Sequence, residues 1–241
     1  MLKTLSHSIL SVIYPQECLC CHGEVESPDD GIACSDCWAN TRIFDGSETL
    51  CTKCGAFLFE GGPSRNEVQC RKCDDHSYDR AFSVGIYERA LSASIVHLKR
   101  NPSISKRIRH LLARSLDRMS TSGPPVVIPV PLSARRLQER GFNQAAVIAT
   151  VIARSGNLLL DENSLVRKIH TPMHRAGMDR KARAMTVKKA FEVVRPKLIE
   201  GRDTLLVDDV LTSGETASIC ARVLKKSGAA TVSVLTIARA A

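Results

Sequence analysis

Four Cys-x-x-Cys pairs within the first 73 residues constrain this chain more than any other feature: Cys18/Cys21, Cys34/Cys37, Cys51/Cys54 and Cys70/Cys73, separated by 12, 13 and 15 residues. A Cys-x-x-Cys turn points two thiolates at one metal ion, and two such turns complete a tetrahedral site with no open position. The pattern predicts structural Zn2+, one or two ions, held by these eight cysteines without catalysis. Pairing the first two turns and the last two needs the shortest loops; an interleaved arrangement uses the same residues. Gly55 after Cys54, and Gly23 after Cys21 and His22, suit the tight knuckles. A segment of this size has too little apolar content for its own core, so the metal supplies much of its stability. Ten cysteines also suit a secreted disulfide scaffold. Against that, Met1–Pro15 has short apolar runs broken by Ser6, His7, Ser8 and Ser11, unlike a signal peptide. A reducing cytoplasm is the expected setting. Cys20 and Cys220 fall outside the pattern and read as packing residues.

The charge changes where the cysteines end. Residues 1–79 hold 6 Lys/Arg against 13 Asp/Glu, a net of −7, and residues 80–241 hold 28 against 12, a net of +16. Two parts are therefore expected: a cysteine-rich zinc-ribbon module over 1–79 and a second domain over 80–241. The basic part should attract anions such as phosphorylated small molecules, nucleic acid or acidic lipid headgroups, although surplus Lys and Arg also simply solvate a surface. The acidic part is poorly suited to reading nucleic acid. Aromatic residues, at 4%, are too few for a surface built on base stacking. No stretch approaches the roughly 18 apolar residues of a membrane span. Leu2, Leu5, Ile9 and Ile13 can form a helical stripe that caps the neighbouring domain.

The basic part alternates helical and strand patterns. Ala90–Lys99, Ile104–Met119, Phe142–Ala153 and Glu215–Lys226 read as helices, the last closed by Ser227-Gly228. Val126–Val130, Phe191–Val194, Thr204–Val207 and Thr231–Ile237 read as strands. This order predicts an α/β fold with a mostly parallel sheet covered on both faces.

The most informative segment is Thr204–Thr216. An apolar strand runs into Asp208 and Asp209, then a loop of Thr212, Ser213, Gly214, Glu215 and Thr216, then a helix. Ligands of open α/β sheets bind at the carboxyl ends of strands. Small hydroxyl residues and glycine at a helix start offer N–H and O–H donors to a phosphate, aided by the helix dipole. Two acids just before that cradle can accept hydrogen bonds from vicinal sugar hydroxyls. A phosphate cradle and a diol clamp one ribose apart describe a ribose 5-phosphate site.

This segment resembles the phosphoribosyl pyrophosphate signature of type I phosphoribosyltransferases. The chain as a whole resembles the ComF family of competence proteins, through Pro129-Val130-Pro131, Arg135-Arg136, the run Glu139-Arg140-Gly141-Phe142-Asn143-Gln144, the closing Thr236-Ile237-Ala238-Arg239, and the paired cysteines. That resemblance implies a type I phosphoribosyltransferase fold behind a small N-terminal zinc-ribbon module. It implies Asp208 and Asp209 on the ribose hydroxyls and Thr212–Thr216 on the 5′-phosphate. Arg135 and Arg136, in a loop after Pro131, would face the pyrophosphate together with Arg140, and Mg2+ would bridge pyrophosphate and ribose oxygens. It further implies a link to natural transformation or use of DNA as a nutrient, with single-stranded DNA as a partner. Where the family often has Thr-Thr-Gly-Ala-Thr, this chain has Ser213 and Glu215; Ser213 keeps the hydroxyl and Glu215 adds a charge to the first helical turn.

Arg167–Lys189 carries eight Lys/Arg against Asp179 alone and is expected to form a basic lid that neutralises a leaving pyrophosphate. It includes His174 and Thr186, where relatives commonly have Gln and Asn. Lys99, Arg100, Lys106, Arg107 and Arg109 form a second basic cluster, suited to a solvated helix face or to DNA. Two functional readings follow. One is a type I phosphoribosyltransferase in which positioning and charge neutralisation do the work. The other is a single-stranded-DNA-binding adaptor with a non-catalytic phosphoribosyl site. Its ribbons would dock a competence helicase or membrane channel at the inner face of the membrane.

Overall fold

The structure, a computed structural model, describes residues 16–60, 68–119, 123–168 and 190–240. The apolar stripe of residues 2–13 and most of the expected basic lid lie outside the described residues.

Both zinc ribbons are built alike. In each, the first cysteine pair sits at the tip of a hairpin and the second opens a helical turn. The Glu17–Glu24 bridge flanks Cys18 and Cys21, and helix α1 (Ser35–Ala39) starts directly after Cys34. Strands β1 (Glu48–Leu50) and β2 (Phe57–Glu60) pair antiparallel around Cys51 and Cys54, and a 3-10 turn follows Cys70 over Arg71–Cys73. Gly55 takes a positive φ as its knuckle demands, but in the first ribbon that conformation falls on His22, not Gly23.

The second part is a four-stranded parallel sheet in the order β3 (Arg80–Ile86), β8 (Thr231–Arg239), β7 (Asp203–Leu211), β4 (Val126–Pro129). Strands buried on both faces read as continuous apolar runs, which is what Val126–Ile128 and Leu205–Val207 show. Helices α2 (Arg89–Leu98), α3 (Lys106–Asp117) and α5 (Gln144–Gly156) cover one face, packing on Val127, Leu205, Val207 and Leu235. Helix α6 (Glu215–Lys226) covers the other, on Ile128, Leu206, Val232 and Val234. Parts of the sheet differ from the sequence reading. Phe191–Val193 (β6) pairs antiparallel with β5 (Leu165–Arg167) in a separate ribbon. Residues 80–86, assigned no element from sequence, form β3 by pairing parallel with β8.

The ribbons straddle this sheet. Between them, Arg42–Phe44 runs antiparallel along the edge of β3: the Phe44 N–H donates to the Val84 carbonyl at 2.8 Å and the Ile86 N–H to the Arg42 carbonyl at 3.0 Å. An open strand edge is thereby paired. Cys18, Cys34, Cys37 and Trp38, before the crossing, join the core on the α2/α3/α5 face. Cys51, Cys54, Cys73 and Tyr78, after it, join the core on the α6 face. The first ribbon is also held by charge. Arg107 donates to Asp30 at 2.9 Å and lies over the Trp38 ring at 4.7 Å, while Lys106 meets Asp29 at 2.7 Å. These two members of the basic cluster therefore pair with the first ribbon, Lys106 from an exposed position. Among the described residues no helix is long and apolar enough to cross a membrane.

Gly85 marks the tightest point of the crossing, since a Cβ there would collide with the Arg42 carbonyl oxygen. Gly85→Ala should push the ribbon from the sheet edge and cost roughly 1–3 kcal/mol, measured as a lower midpoint in chemical denaturation of the zinc-loaded protein.

Candidate functional site

The carboxyl ends of β4 and β7 diverge. The chain leaving β4 climbs toward α5 on one face, and the chain leaving β7 turns into α6 on the other. Crevices at such switch points are where α/β sheets hold ligands. Here the crevice is a cleft of about 660 Å3 lined by Asp208, Asp209, Thr212, Thr216, Arg136, Glu139, Arg140, Gln144, Lys99, Arg167 and Tyr87, with Val130–Leu132 along one wall.

One wall is acidic. β7 continues through both acids to Leu211, so Asp208 and Asp209 lie within the strand and not after its end, and both line the cleft. Asp209 is buried; it receives Gln144 Nε2 at 3.3 Å and lies 3.6 Å from Lys99 Nζ. Burial, and then the Asp209 charge, push the Asp208 carboxyl far above its ordinary value of 3.8, to about 8. Two carboxylates this close resist joint ionisation, so the wall favours a partner that supplies positive charge or hydroxyl donors.

The opposite wall is basic, and its geometry comes from helix α4 (Ala134–Arg140), which occupies the stretch expected to be a loop. Ser133 caps its start and Gly141, with φ 81°, ends it. Residues four apart share a helix face. Arg136 and Arg140 thus face the cleft, while Arg135 pairs with Glu139 at 2.7 Å and is turned to solvent. Arg140 also donates to the Gln144 side chain. Arg167, on β5, lies over the Phe191 ring at 5.2 Å, and burial followed by the charge of Arg136 lowers its pKa. Asn143 caps α5 and donates to the Val130 carbonyl at 3.0 Å. The run Glu139–Gln144 is therefore one device: it ends α4, starts α5 and delivers Gln144 to Asp209.

The loop between β7 and α6 forms the floor. Gly214, with φ 78°, starts α6 without a capping side chain, which leaves the helix N-terminus available to an anion. Thr212 and Thr216 line the cleft. Ser213 and Glu215 are exposed and do not line it, and Gly214 is buried behind it.

The cysteines form two separate clusters, Cys18/Cys21/Cys34/Cys37 and Cys51/Cys54/Cys70/Cys73, each with its four Sγ atoms within 4.8 Å of one another. The pairing is sequential. Sγ–Sγ separations of 3.8 and 3.5 Å in the first cluster and 3.6 and 3.5 Å in the second match the roughly 3.8 Å spanned by two ligands of a tetrahedral ion with 2.3 Å bonds. Burial by itself raises the Cys18 and Cys51 thiols, but backbone N–H groups outweigh it and hold both below the usual thiol range. The donors are Cys34 and Cys20 on Cys18, and Cys54 and Cys70 on Cys51. Such N–H donors favour the thiolate that a metal requires.

Comparison with known proteins agrees with both halves. A double zinc ribbon domain model matches residues 9–74, and a uracil phosphoribosyltransferase model matches residues 96–241. The DNA utilization protein YhgH of Shigella flexneri is 31% identical over 214 residues, covering 86% of this chain and 89% of that protein. The chain belongs to the ComF family. Competence protein F of Haemophilus influenzae is 28% identical over 232 residues, covering 92% of this chain and 96% of the relative. Among solved structures, the purine phosphoribosyltransferase of Pyrococcus horikoshii matches with TM-score 0.35 and 15% identity, over 55% of this chain and 71% of that one. The fold is of the type I phosphoribosyltransferase kind, behind cysteine clusters suited to structural zinc.

In this ComF protein the cleft gathers Asp208, Asp209, Thr212, Thr216, Arg136 and Arg140 of the residues expected from sequence. Arg167, the first residue of the expected basic lid, also lines it, and the cleft adds Lys99 and Gln144, which sequence reasoning did not place there. Gln144 closes the family motif, and Ser133 with Gly141 signal a helix that would have sorted Arg136 from Arg135. Lys99 carries no local signal.

The clusters are expected to bind two zinc ions per chain by native mass spectrometry, with Cys21→Ser retaining one. The raised carboxyl gives a second test. Asp208 binds a proton more tightly folded than unfolded, so its contribution to stability falls as pH rises from near 4 to about 8. Asp208→Asn should therefore melt above wild type in zinc-saturated buffer, by a margin that widens between pH 6 and 8.

Proposed function

We propose that the cleft binds phosphoribosyl pyrophosphate with Mg2+ and that this ComF protein acts as a type I phosphoribosyltransferase. The observation that carries the reading is the division of one cleft between a carboxylate pair at the end of β7 and three guanidiniums facing it. A ribose 5-phosphate fits with its vicinal hydroxyls on Asp208 and Asp209 and its 5′-phosphate on the loop Thr212–Thr216, at the start of α6. The pyrophosphate then falls toward Arg136, Arg140 and Arg167. Asp208 and Asp209 are the residues that would hold Mg2+, which would supply charge neutralisation to the leaving group, and a positive charge suits a wall on which Asp208 resists ionisation. Transfer requires cleavage of the C1–oxygen bond through an oxocarbenium-like centre. The protein's share is to hold the ribose, neutralise the departing pyrophosphate and exclude water.

The names of the relatives, DNA utilization protein and competence protein, support a link to DNA uptake or use, and thiolate zinc sites suit a cytoplasmic setting. The second reading, a single-stranded DNA adaptor, draws on the net +16 of residues 80–241. It loses support because Lys106 and Arg107 dock the first ribbon, Lys225 pairs with Asp79, and Lys99 faces Asp209.

Calorimetric titration of the zinc-loaded protein with phosphoribosyl pyrophosphate and Mg2+ should give saturable binding that Asp208→Asn/Asp209→Asn abolishes. A folded wild type that binds nothing would refute the reading. DNA affinity that falls steeply with salt and ignores both substitutions would favour the adaptor.

A further inference from the structure

The second zinc cluster lies directly behind the loop Leu211–Thr216. Arg239, at the end of β8, donates through one nitrogen to the Leu211 carbonyl at 2.7 Å and to the Thr212 carbonyl, while its other terminal nitrogen lies 3.9 Å from Cys54 Sγ. His76, three residues past Cys73, bonds Tyr78 Oη at 2.6 Å, and the pair fills the space beneath Gly214. A Cβ on Gly214 would sit 2.7 Å from His76 Cε1 and 2.8 Å from Tyr78 Oη. Ser77, between them, donates its N–H to Ser218 Oγ in the first turns of α6 at 3.0 Å. The first cluster packs on the other face of the sheet.

Peptide geometry gives this arrangement a consequence. In a planar trans peptide the C=O and the following N–H point in opposite directions. Arg239 holds the carbonyls of Leu211 and Thr212 from the ribbon side, where it lines a separate cavity. The N–H groups of Thr212 and Ser213 are therefore turned away from the ribbon, toward the side where Thr212 borders the cleft. Zinc with four thiolates carries a net charge of −2, which attracts the guanidinium; a cluster without zinc pulls less.

We propose that Arg239 is a positioning residue coupling the second zinc site to the phosphate loop. Zinc on Cys51, Cys54, Cys70 and Cys73 orients the loop N–H groups for a phosphate, and an anion on the loop in turn slows loss of zinc from that site alone. The second half follows from the first because coupling between two binding sites is reciprocal. The inference rests on the reading of Thr212–Thr216 as a phosphate site.

The test uses the full-length, zinc-loaded protein, ribose 5-phosphate as the probe, and the variants Arg239→Ala and Arg239→Lys. Lysine keeps the charge but cannot serve both carbonyls and the sulfur. Both variants should keep two zinc ions, bind the probe at least about fivefold more weakly and exchange the amides of residues 211–216 faster. In wild type the probe should slow chelator-driven exposure of the Cys51/Cys54/Cys70/Cys73 thiols, followed by alkylation and mass spectrometry, and leave the Cys18/Cys21/Cys34/Cys37 thiols unaffected. Equal protection of both clusters, or of neither, by a probe that binds would overturn the coupling. If wild type binds no probe, the phosphoribosyl reading fails, and amide exchange still decides the clamp: unchanged exchange at 211–216 in both variants sinks it, and faster exchange sustains it.

Discussion

The strand-edge pairing of Arg42–Phe44 with β3 is the contact on which the rest of this architecture depends. A chain that crosses a sheet edge must pass from one face to the other. The first ribbon therefore packs against α2 and α3, and the second lies on the face covered by α6. The crossing is possible because position 85 has no side chain to meet the Arg42 carbonyl. It gives two similar ribbons different neighbours: the first braces the helices of one face, and the second stands behind the loop that starts α6.

That placement bears on the cleft, which holds charge at a cost. Asp208 sits beside Asp209 at the end of a buried strand, and burial with a like charge destabilises its ionised form. Arg136, Arg140, Arg167 and Lys99 line the same cleft as the pair. Strain of this kind is kept where a ligand relieves it. A sugar diol, a divalent cation or a polyphosphate would each satisfy part of that demand, which is the basis of the phosphoribosyl pyrophosphate proposal.

The distribution of basic residues leads the same way. A net of +16 over residues 80–241 suggests a broad attraction for nucleic acid, yet several of these residues have partners within the chain. Arg107 rests on Trp38 and Asp30, Lys106 on Asp29, and Lys225 on Asp79. Arg118 donates to the Phe44 carbonyl at 2.8 Å, and Arg239 to the loop carbonyls. Acidic ribbons and a basic partner domain are two halves of one interface, so the net charge of either part overstates what it offers to solvent.

The sequence by itself determined whatever depends on residues close together in the chain. Cys-x-x-Cys spacing specified thiolate sites, because two turns of that length leave little freedom in where the sulfurs point. Glu215–Lys226 was legible to the residue because its glycine and hydroxyl start and its Ser227-Gly228 end are local signals. The order of apolar run, two acids and hydroxyl loop placed Asp208, Asp209, Thr212 and Thr216 in one site. Tertiary structure decided what joins distant segments. It chose sequential cysteine pairing, put β3 beside β8, and separated β6 from the main sheet. It also brought Lys99 and Gln144 to the acids and set Arg239 between a cysteine cluster and the loop that starts α6. None of these contacts leaves a trace in local periodicity, because each is fixed by which faces the whole chain must bury together.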